Sequence, residues 1–305
     1  MSTTLSCRIK LPAGFRQNDV LAFHRRDAEQ LSERIDGNIL HKALPWNDHP
    51  ACLTFRFNKA SVAVELAIDG SVTNRSVTDG DQESMRRMAR RMLVLTQRIE
   101  EFERAYRSHP QIGAVIDRNS GLRVPLATTP FEALTWAITG QQISVSAAVS
   151  IRRKVIQAAG LKHSSGLLCV PGSGQLVNMA EQDLRRAGLS QTKARTLIAL
   201  SECIEKKQLP LNEWADALPE EEARTQLLGI RGIGPWTVNY ALLRGCGWLD
   251  GSLHGDVAVR RNLQALLGKT EKVGEDEAKQ WLAEFSPWRA LVAAHLWAMK
   301  KAEGY

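Results

Sequence analysis

The spacing of hydrophobic and polar positions changes near residue 109. Before it, apolar residues alternate. Leu53, Phe55 and Phe57 are separated by Thr54 and Arg56, and Val62, Val64, Leu66 and Ile68 by Ala63, Glu65 and Ala67. Period two with β-branched and aromatic side chains marks half-buried strands. Asn58-Lys59-Ala60 between the two runs is short enough for a hairpin, and Leu5–Leu11 reads as a first strand. An antiparallel sheet with one covered face is predicted. Asp19–Ala28 reads as an early helix with Asn18 as its cap. Gly80–Arg107 then reads as one long helix. Its Met85, Met88, Met92, Leu95, Ile99, Phe102 and Tyr106 fall three and four apart on one face. That stripe reads as a core seam. Arg86, Arg87, Arg90, Arg91 and Arg98 read as the solvated side.

Past His109-Pro110 almost every segment has helical period. Thr129-Pro130-Phe131-Glu132 has a cap, proline at the first helical position and glutamate three after the cap, the capping-box arrangement. Ser144 can cap Val145–Ala159. Further helices are expected near 175–187, 191–207 and 219–228, then over Asp256–Leu267, Glu275–Phe285 and Pro287–Ala302. Ser164–Gly174, rich in glycine and serine, reads as a loop between two helical lobes. The fold class is therefore α+β. A sheet domain with helices, 1–109, ends in the long helix, and a mainly helical domain in two lobes covers 110–305.

Composition changes this picture little. The chain has 305 residues, 44% hydrophobic and 24% charged, as expected of a soluble globular protein. No apolar run approaches membrane-spanning length. The N-terminus lacks a secretory core. Five scattered cysteines fit a reducing cytoplasm, and no CxxC or His/Cys cluster suggests zinc. The formal charge is +7, spread as 17 basic against 14 acidic residues over 1–109 and 23 against 19 over 110–305. That excess permits a nucleic-acid partner without requiring one.

Candidate chemistry concentrates between Leu227 and Arg261. Gly229-Ile230-Arg231-Gly232-Ile233-Gly234 is a tight turn between helical patterns. Gly232 and Gly234 bracket Ile233, which suits backbone that must turn sharply or approach another group. Pro235 then opens a helix, so bare N–H groups at its N-terminus face outward and suit a phosphate oxygen. Asp256 stands directly before another helix. For an arbitrary aspartate in that place, capping is the commoner role. Trp236 and Tyr240, four apart, are ring neighbours on one face.

The run L-x-G-I-x-G-I-G-P-W-T-x-N-Y, with an aspartate following at Asp256, resembles the helix-hairpin-helix DNA glycosylase superfamily. Within it the likeness is to the AlkA-type 3-methyladenine DNA glycosylases. Gly121–Pro125 with Pro130-Phe131-Glu132, Thr139–Ser144, and Pro287-Trp288-Arg289 with His295-Leu296-Trp297 carry the same resemblance. It covers roughly 110–302 strongly and 1–109 more weakly.

The resemblance implies an N-terminal sheet domain like half of the TATA-binding protein fold, and an enzyme of base excision repair acting on duplex DNA with alkylated bases. It implies that Asp256 stabilises positive charge on the sugar and orients the attacking water. It also implies that Trp236, Tyr240 and Trp297 form the base pocket. The hairpin Gly229, Arg231, Gly232, Ile233 and Gly234, with Thr237, would hold DNA. Gln142 would fill the gap left by the flipped nucleotide, where a leucine is usual. Trp236 stands where strand-cutting relatives carry a nucleophilic lysine, so the expected enzyme is monofunctional. Gly255 replaces a frequent second aspartate, which removes an assisting carboxylate. Trp136 and Trp288 read as core. No cofactor and no side-chain metal site are expected, leaving the hairpin's backbone carbonyls as the candidate seat of a monovalent cation. A monomer acting in the cytoplasm, away from membranes, completes the expectation. The rivals are a non-catalytic DNA-binding module and a glycosylase for deaminated or oxidised bases.

Overall fold

The structure, a computed structural model, describes residues 3–70 and 78–299. Strands β1 (Thr3–Lys10), β2 (Glu33–Asp36), β3 (Ile39–Trp46), β4 (His49–Phe57) and β5 (Ser61–Ile68) form one antiparallel sheet in the order β1-β5-β4-β3-β2. Leu53 pairs with Leu66 and Phe55 with Val64, so the alternating residues of the sequence meet across the ladder. β2 and β3 were not anticipated. They form a hairpin closed by Gly37-Asn38, with Asp36 opposite Ile39.

One face of the sheet packs under helices α1 (Gln17–His24) and α2 (Asp79–Met92), burying Leu5, Val20, Phe55, Leu66, Met85 and Met92 together. The other face is not left open. Residues 161–170 run along it, with Leu167 and Cys169 packed on Ala43 and Cys52. Leu168 N–H donates to Leu31 O and Val170 N–H to Ala43 O. The expected loop between lobes is thus a strap on the sheet.

Two helix boundaries differ from expectation. α1 is capped from Arg16, so Asn18 lies inside its first turn. The long helix is two, α2 and α3 (Ile99–Tyr106), broken where Val94 takes φ +53°. The break is held by side chains from far along the chain. Arg123 Nη1 donates to Val94 O and Gln97 O, and the Gln97 amide clasps both backbone groups of Val124. The apolar stripe accordingly splits. Met85 and Met92 serve the sheet, while Ile99 and Phe102 enter the helical core. Arg86, Arg87, Arg90 and Arg98 are exposed, but Arg91 is half-buried, its Nη2 donating to Thr128 O.

The remaining helices are α4 (Gly113–Arg118), α5 (Pro130–Gly140), α6 (Val145–Ala159), α7 (Ser173–Leu176), α8 (Glu181–Arg186), α9 (Gln191–Glu205), α10 (Leu211–Trp214), α11 (Glu220–Leu228), α12 (Pro235–Cys246), α13 (Val257–Leu266), α14 (Glu275–Ala283) and α15 (Arg289–Ala298). The helix expected over 175–187 is the pair α7 and α8. The last residues of the helix expected over Pro287–Ala302, 300–302, lie outside the described residues. One continuous buried cluster runs through these helices. α12 is its centre, buried from Thr237 to Gly245. A Cβ on Gly245 would stand 2.7 Å from Pro130 Cα, so α12 and α5 approach more closely than any side chain there allows.

Thr129 and Ser144 cap α5 and α6 as anticipated. Glu132, however, turns from the capping box. Its Oε2 accepts from Thr128 N–H, and its Oε1 meets Lys42 Nζ at 2.7 Å and Arg152 Nη2 at 3.1 Å. Glu33 of β2 binds the same two cations at 2.6 and 2.7 Å. Burial alone would raise the Glu132 carboxyl, but Lys42 and Arg152 outweigh it and hold the group at about 2. This buried, charge-balanced quartet fixes the sheet to α5 and α6.

Candidate active site

Four helix N-termini converge on one open cleft of about 1030 Å³. They bring Ser144 and Val145 of α6, Ser190 and Thr192 of α9, Gly234 and Pro235 of α12, and Asp256 and Val257 of α13. Each terminus carries unpaired N–H groups and the positive end of a helix dipole. The cleft is therefore suited to polyanions without a dense patch of lysine and arginine.

Asp256 is the N-cap of α13 and is 5% exposed. Its Oδ1 accepts from the N–H groups of Ala258 and Val259, both at 2.9 Å, and from Trp297 Nε1 at 3.3 Å. Among the described residues, its Oδ2 accepts only from Trp236 Nε1, at 3.1 Å. One oxygen is thus fully committed to structure, and the other keeps a free lone pair at the cleft. Asp256 is a helix cap whose side chain also lines the cleft.

The aromatic residues divide differently from expectation. Trp236 is half-buried and stacks on Tyr240, with centroids 5.2 Å apart and planes at 23°. Both line the cleft. Trp297 does not. It is 3% exposed, 6.2 Å from the Tyr240 ring, and backs the site by its bond to Asp256. Trp136, expected as core, lines the cleft and donates its indole N–H to Tyr240 Oη at 3.0 Å. Trp288, also expected as core, is half-buried against it, packing on Phe102 and Tyr106. Gly255 also lines the cleft. A Cβ there would meet nothing within 4 Å, so no steric need keeps the second carboxylate out.

In the hairpin between α11 and α12, Gly232 has φ +94°, and a Cβ on it would stand 2.2 Å from Thr196 Oγ1 of α9. Thr196 Oγ1 in turn donates to Arg231 O at 2.9 Å. Arg231 is exposed, whereas Ile233 is buried and contributes backbone only. The Gly229 N–H is bonded to Thr225 O and is not free for a ligand. Thr237 is also relocated. Its side chain is buried, with Oγ1 accepting from Gln141 Nε2 at 2.9 Å, so only its backbone is left for DNA. The same Gln141 amide donates to Gly232 O. Among the described residues, the Ile230 carbonyl accepts from Ile233 N–H, the Arg231 carbonyl from Thr196 Oγ1 and the Gly232 carbonyl from Gln141 Nε2.

Gln142 is exposed at the cleft with φ +56°, a backbone state uncommon outside glycine. The turn beneath it is pinned by Lys193, whose Nζ donates to Thr139 O at 2.9 Å and Gln141 O at 2.7 Å. Beside it Ile143 is 38% exposed, and Val257, next to Asp256, is 71% exposed. Reading the sequence missed Lys193, Gln141 and Trp136. The helix expected over 191–207 is α9 (Gln191–Glu205), but no role was read for Lys193 on it.

The family model described as HhH-GPD superfamily base excision DNA repair protein matches residues 135–287. A DNA-3-methyladenine glycosylase of Bacillus subtilis is 23% identical over 293 residues, 95% of each chain. Among solved structures, a 3-methyladenine DNA glycosylase from Archaeoglobus fulgidus superposes with a TM-score of 0.78 at 21% identity, covering 95% of this chain and 97% of that one. An 8-oxoguanine glycosylase/lyase of Clostridium acetobutylicum, in complex with double-stranded DNA, superposes at 0.73 and 15% identity, covering 99% and 97%. The fold is thus shared by proteins named for two different lesions.

Proposed function

The chain belongs to the HhH-GPD superfamily of base excision DNA repair proteins, and on that premise we propose that it is a monofunctional glycosylase for alkylated purines of the 3-methyladenine and 7-methylguanine type. The observation that carries this reading is the pair formed by Asp256 and Trp236. The carboxylate is anchored through Oδ1 and presents Oδ2 to the cleft beside an aromatic stack.

Breaking the N-glycosidic bond develops positive charge on the sugar, and a fixed carboxylate facing C1′ stabilises that charge. The same oxygen can orient or deprotonate the attacking water. Trp236 and Tyr240 offer a flat, electron-rich wall on which an extruded purine stacks. Alkylation makes the base a good leaving group, which lessens the need for a protein acid. The hairpin N–H groups, Arg231 and the other helix N-termini would hold the flanking phosphates, and Gln142 would fill the vacated position in the duplex.

Trp236 cannot form a Schiff base, so strand cleavage is not part of the reaction. The test is release of methylpurine from alkylated duplex, leaving abasic sites intact. Borohydride added during turnover should trap no covalent adduct. A trapped adduct, or no base release at all, would defeat the reading.

A further inference from the structure

Behind the cleft lies a second, smaller cavity of about 40 Å³. Phe23, His24 and Arg26, at and just past the end of α1, line it together with Trp136, Tyr240 and Arg244. A water needs roughly 10–15 Å³, so the cavity admits the edge of a base and not a whole one. Trp136 and Tyr240 line both spaces, so the cavity adjoins the cleft across this pair.

Among the described residues, three buried polar atoms around it lack a hydrogen-bond partner, His24 Nε2, Arg26 Nε and Arg26 Nη2, while the guanidinium also bonds the Tyr240 hydroxyl. Arg26 is half-buried as a residue, but these two nitrogens are shut off from solvent. The guanidinium lies 4.0 Å over the Phe23 ring and 5.1 Å from that of Trp136. Nearby carboxylates are already committed. Asp27 pairs with Arg153 at 2.6 Å, and Glu33 and Glu132 pair with Lys42 and Arg152. Burial, then Lys42, pushes His24 down to about 3, so its ring is neutral at physiological pH and keeps one acceptor nitrogen. Unpartnered groups in such a place are costly, and a recurring ligand is one reason to retain them.

We propose that this cavity reads the C6 edge of the extruded purine, Arg26 donating to a carbonyl oxygen and His24 facing the adjacent ring nitrogen, so that the enzyme favours 6-oxopurines over 6-aminopurines. The proposal rests on the cleft being the base pocket. A guanidinium offers donors only, so it rewards O6 of 7-methylguanine or hypoxanthine and meets the 6-amino donor of 3-methyladenine with another donor. Discrimination of this polar kind exceeds what an apolar pocket achieves, because the wrong base leaves buried groups unpaired.

The experiment is single-turnover excision from duplexes carrying one 7-methylguanine, hypoxanthine or 3-methyladenine, each rate divided by spontaneous loss. Wild type should favour the two 6-oxopurines. In Arg26→Met their rates relative to 3-methyladenine should fall about ten- to a hundredfold, the range for a lost bond to a charged donor. Arg26→Gln, which keeps one amide donor, should recover part of the preference. Melting temperatures decide which variant is read if Arg26→Met does not fold. An unchanged ratio in a folded variant would overturn the proposal. So would a wild type that releases 3-methyladenine alone, although the alkylpurine reading would then stand. Release of hypoxanthine with neither methylpurine would do the reverse.

Discussion

Asp256 uses its two oxygens for different purposes, and that division suggests how to separate orientation from stacking. Trp236→Phe keeps a ring against Tyr240 and deletes the indole N–H that donates to Oδ2. The carboxylate then rotates more freely, and single-turnover excision should slow about tenfold, the low end for losing a bond to a charged group. Affinity for an abasic-site duplex should change much less. Equal rates for the two proteins would assign Trp236 to stacking alone. At this scale the sequence was informative wherever a role depends on local position: Asp256 before a helix, Pro235 at a helix start, Trp236 and Tyr240 one turn apart. It misplaced Trp136 and Trp297. Both are apolar-face residues of helices, and which one meets solvent depends on the packing of α5 and α15 around α12.

The hairpin supports a comparison within one element. Gly232 and Gly234 look alike in sequence, but only Gly232 is conformationally required. Gly232→Ala forces an alanine to φ +94° and into Thr196. It should cost about 2 kcal/mol or more, from backbone strain and overpacking together. Gly234 has ordinary φ, −103°, and open space around a built Cβ. Gly234→Ala should therefore melt like wild type yet bind duplex more weakly, because the methyl group occupies the approach to the α12 N-terminus. Melting curves and duplex titrations of both variants test this. Wild-type affinity in Gly234→Ala would place the phosphate elsewhere. Elements were legible where caps are local, as at Thr129 and Ser144. The single long helix failed at Val94 because the break is made by Arg123 and Gln97, contacts that no periodicity records. The β2–β3 hairpin escaped notice because Lys42, fully buried, reads as polar until its partners Glu33 and Glu132 are placed around it.

Across the whole molecule, the junction between sheet and helices, together with the buried His295 of α15, should set acid stability. His24 is held at about 3, by burial first and then Lys42, and His295 at about 4, by burial first and then Arg16. Both folded values lie below the unfolded value of about 6.5. Each histidine therefore contributes fully above pH 6.5, and the contribution is lost as pH falls toward 4 and then 3. At about 1.4 kcal/mol per unit the combined effect is of the order of several kcal/mol. Glu132, held at about 2, extends the same slope to lower pH. Urea melts between pH 7 and 4 should show a midpoint that falls steadily below pH 6.5. In His295→Gln that fall should be shallower, and an equally steep fall would remove His295 from the account. The sequence foretold the sheet followed by helices. It could not foretell this junction, since His24, Lys42, Glu132 and Arg152 come from four separate elements and acquire their roles only on contact.

The central claim is that Asp256 acts through its charge, and Asp256→Asn tests it most directly. The side-chain oxygen of Asn can still accept from Ala258 and Val259 and so keep the cap. Its amide then faces the Trp236 indole donor, so stability should drop by about 1–3 kcal/mol, the cost of an unpaired donor. The single-turnover excision rate of the folded variant should fall roughly a hundred- to a thousandfold, as expected for a lost electrostatic stabiliser. Excision within a few-fold of wild type, from a protein shown to be folded by its melting curve, would reduce Asp256 to a helix cap and contradict the account.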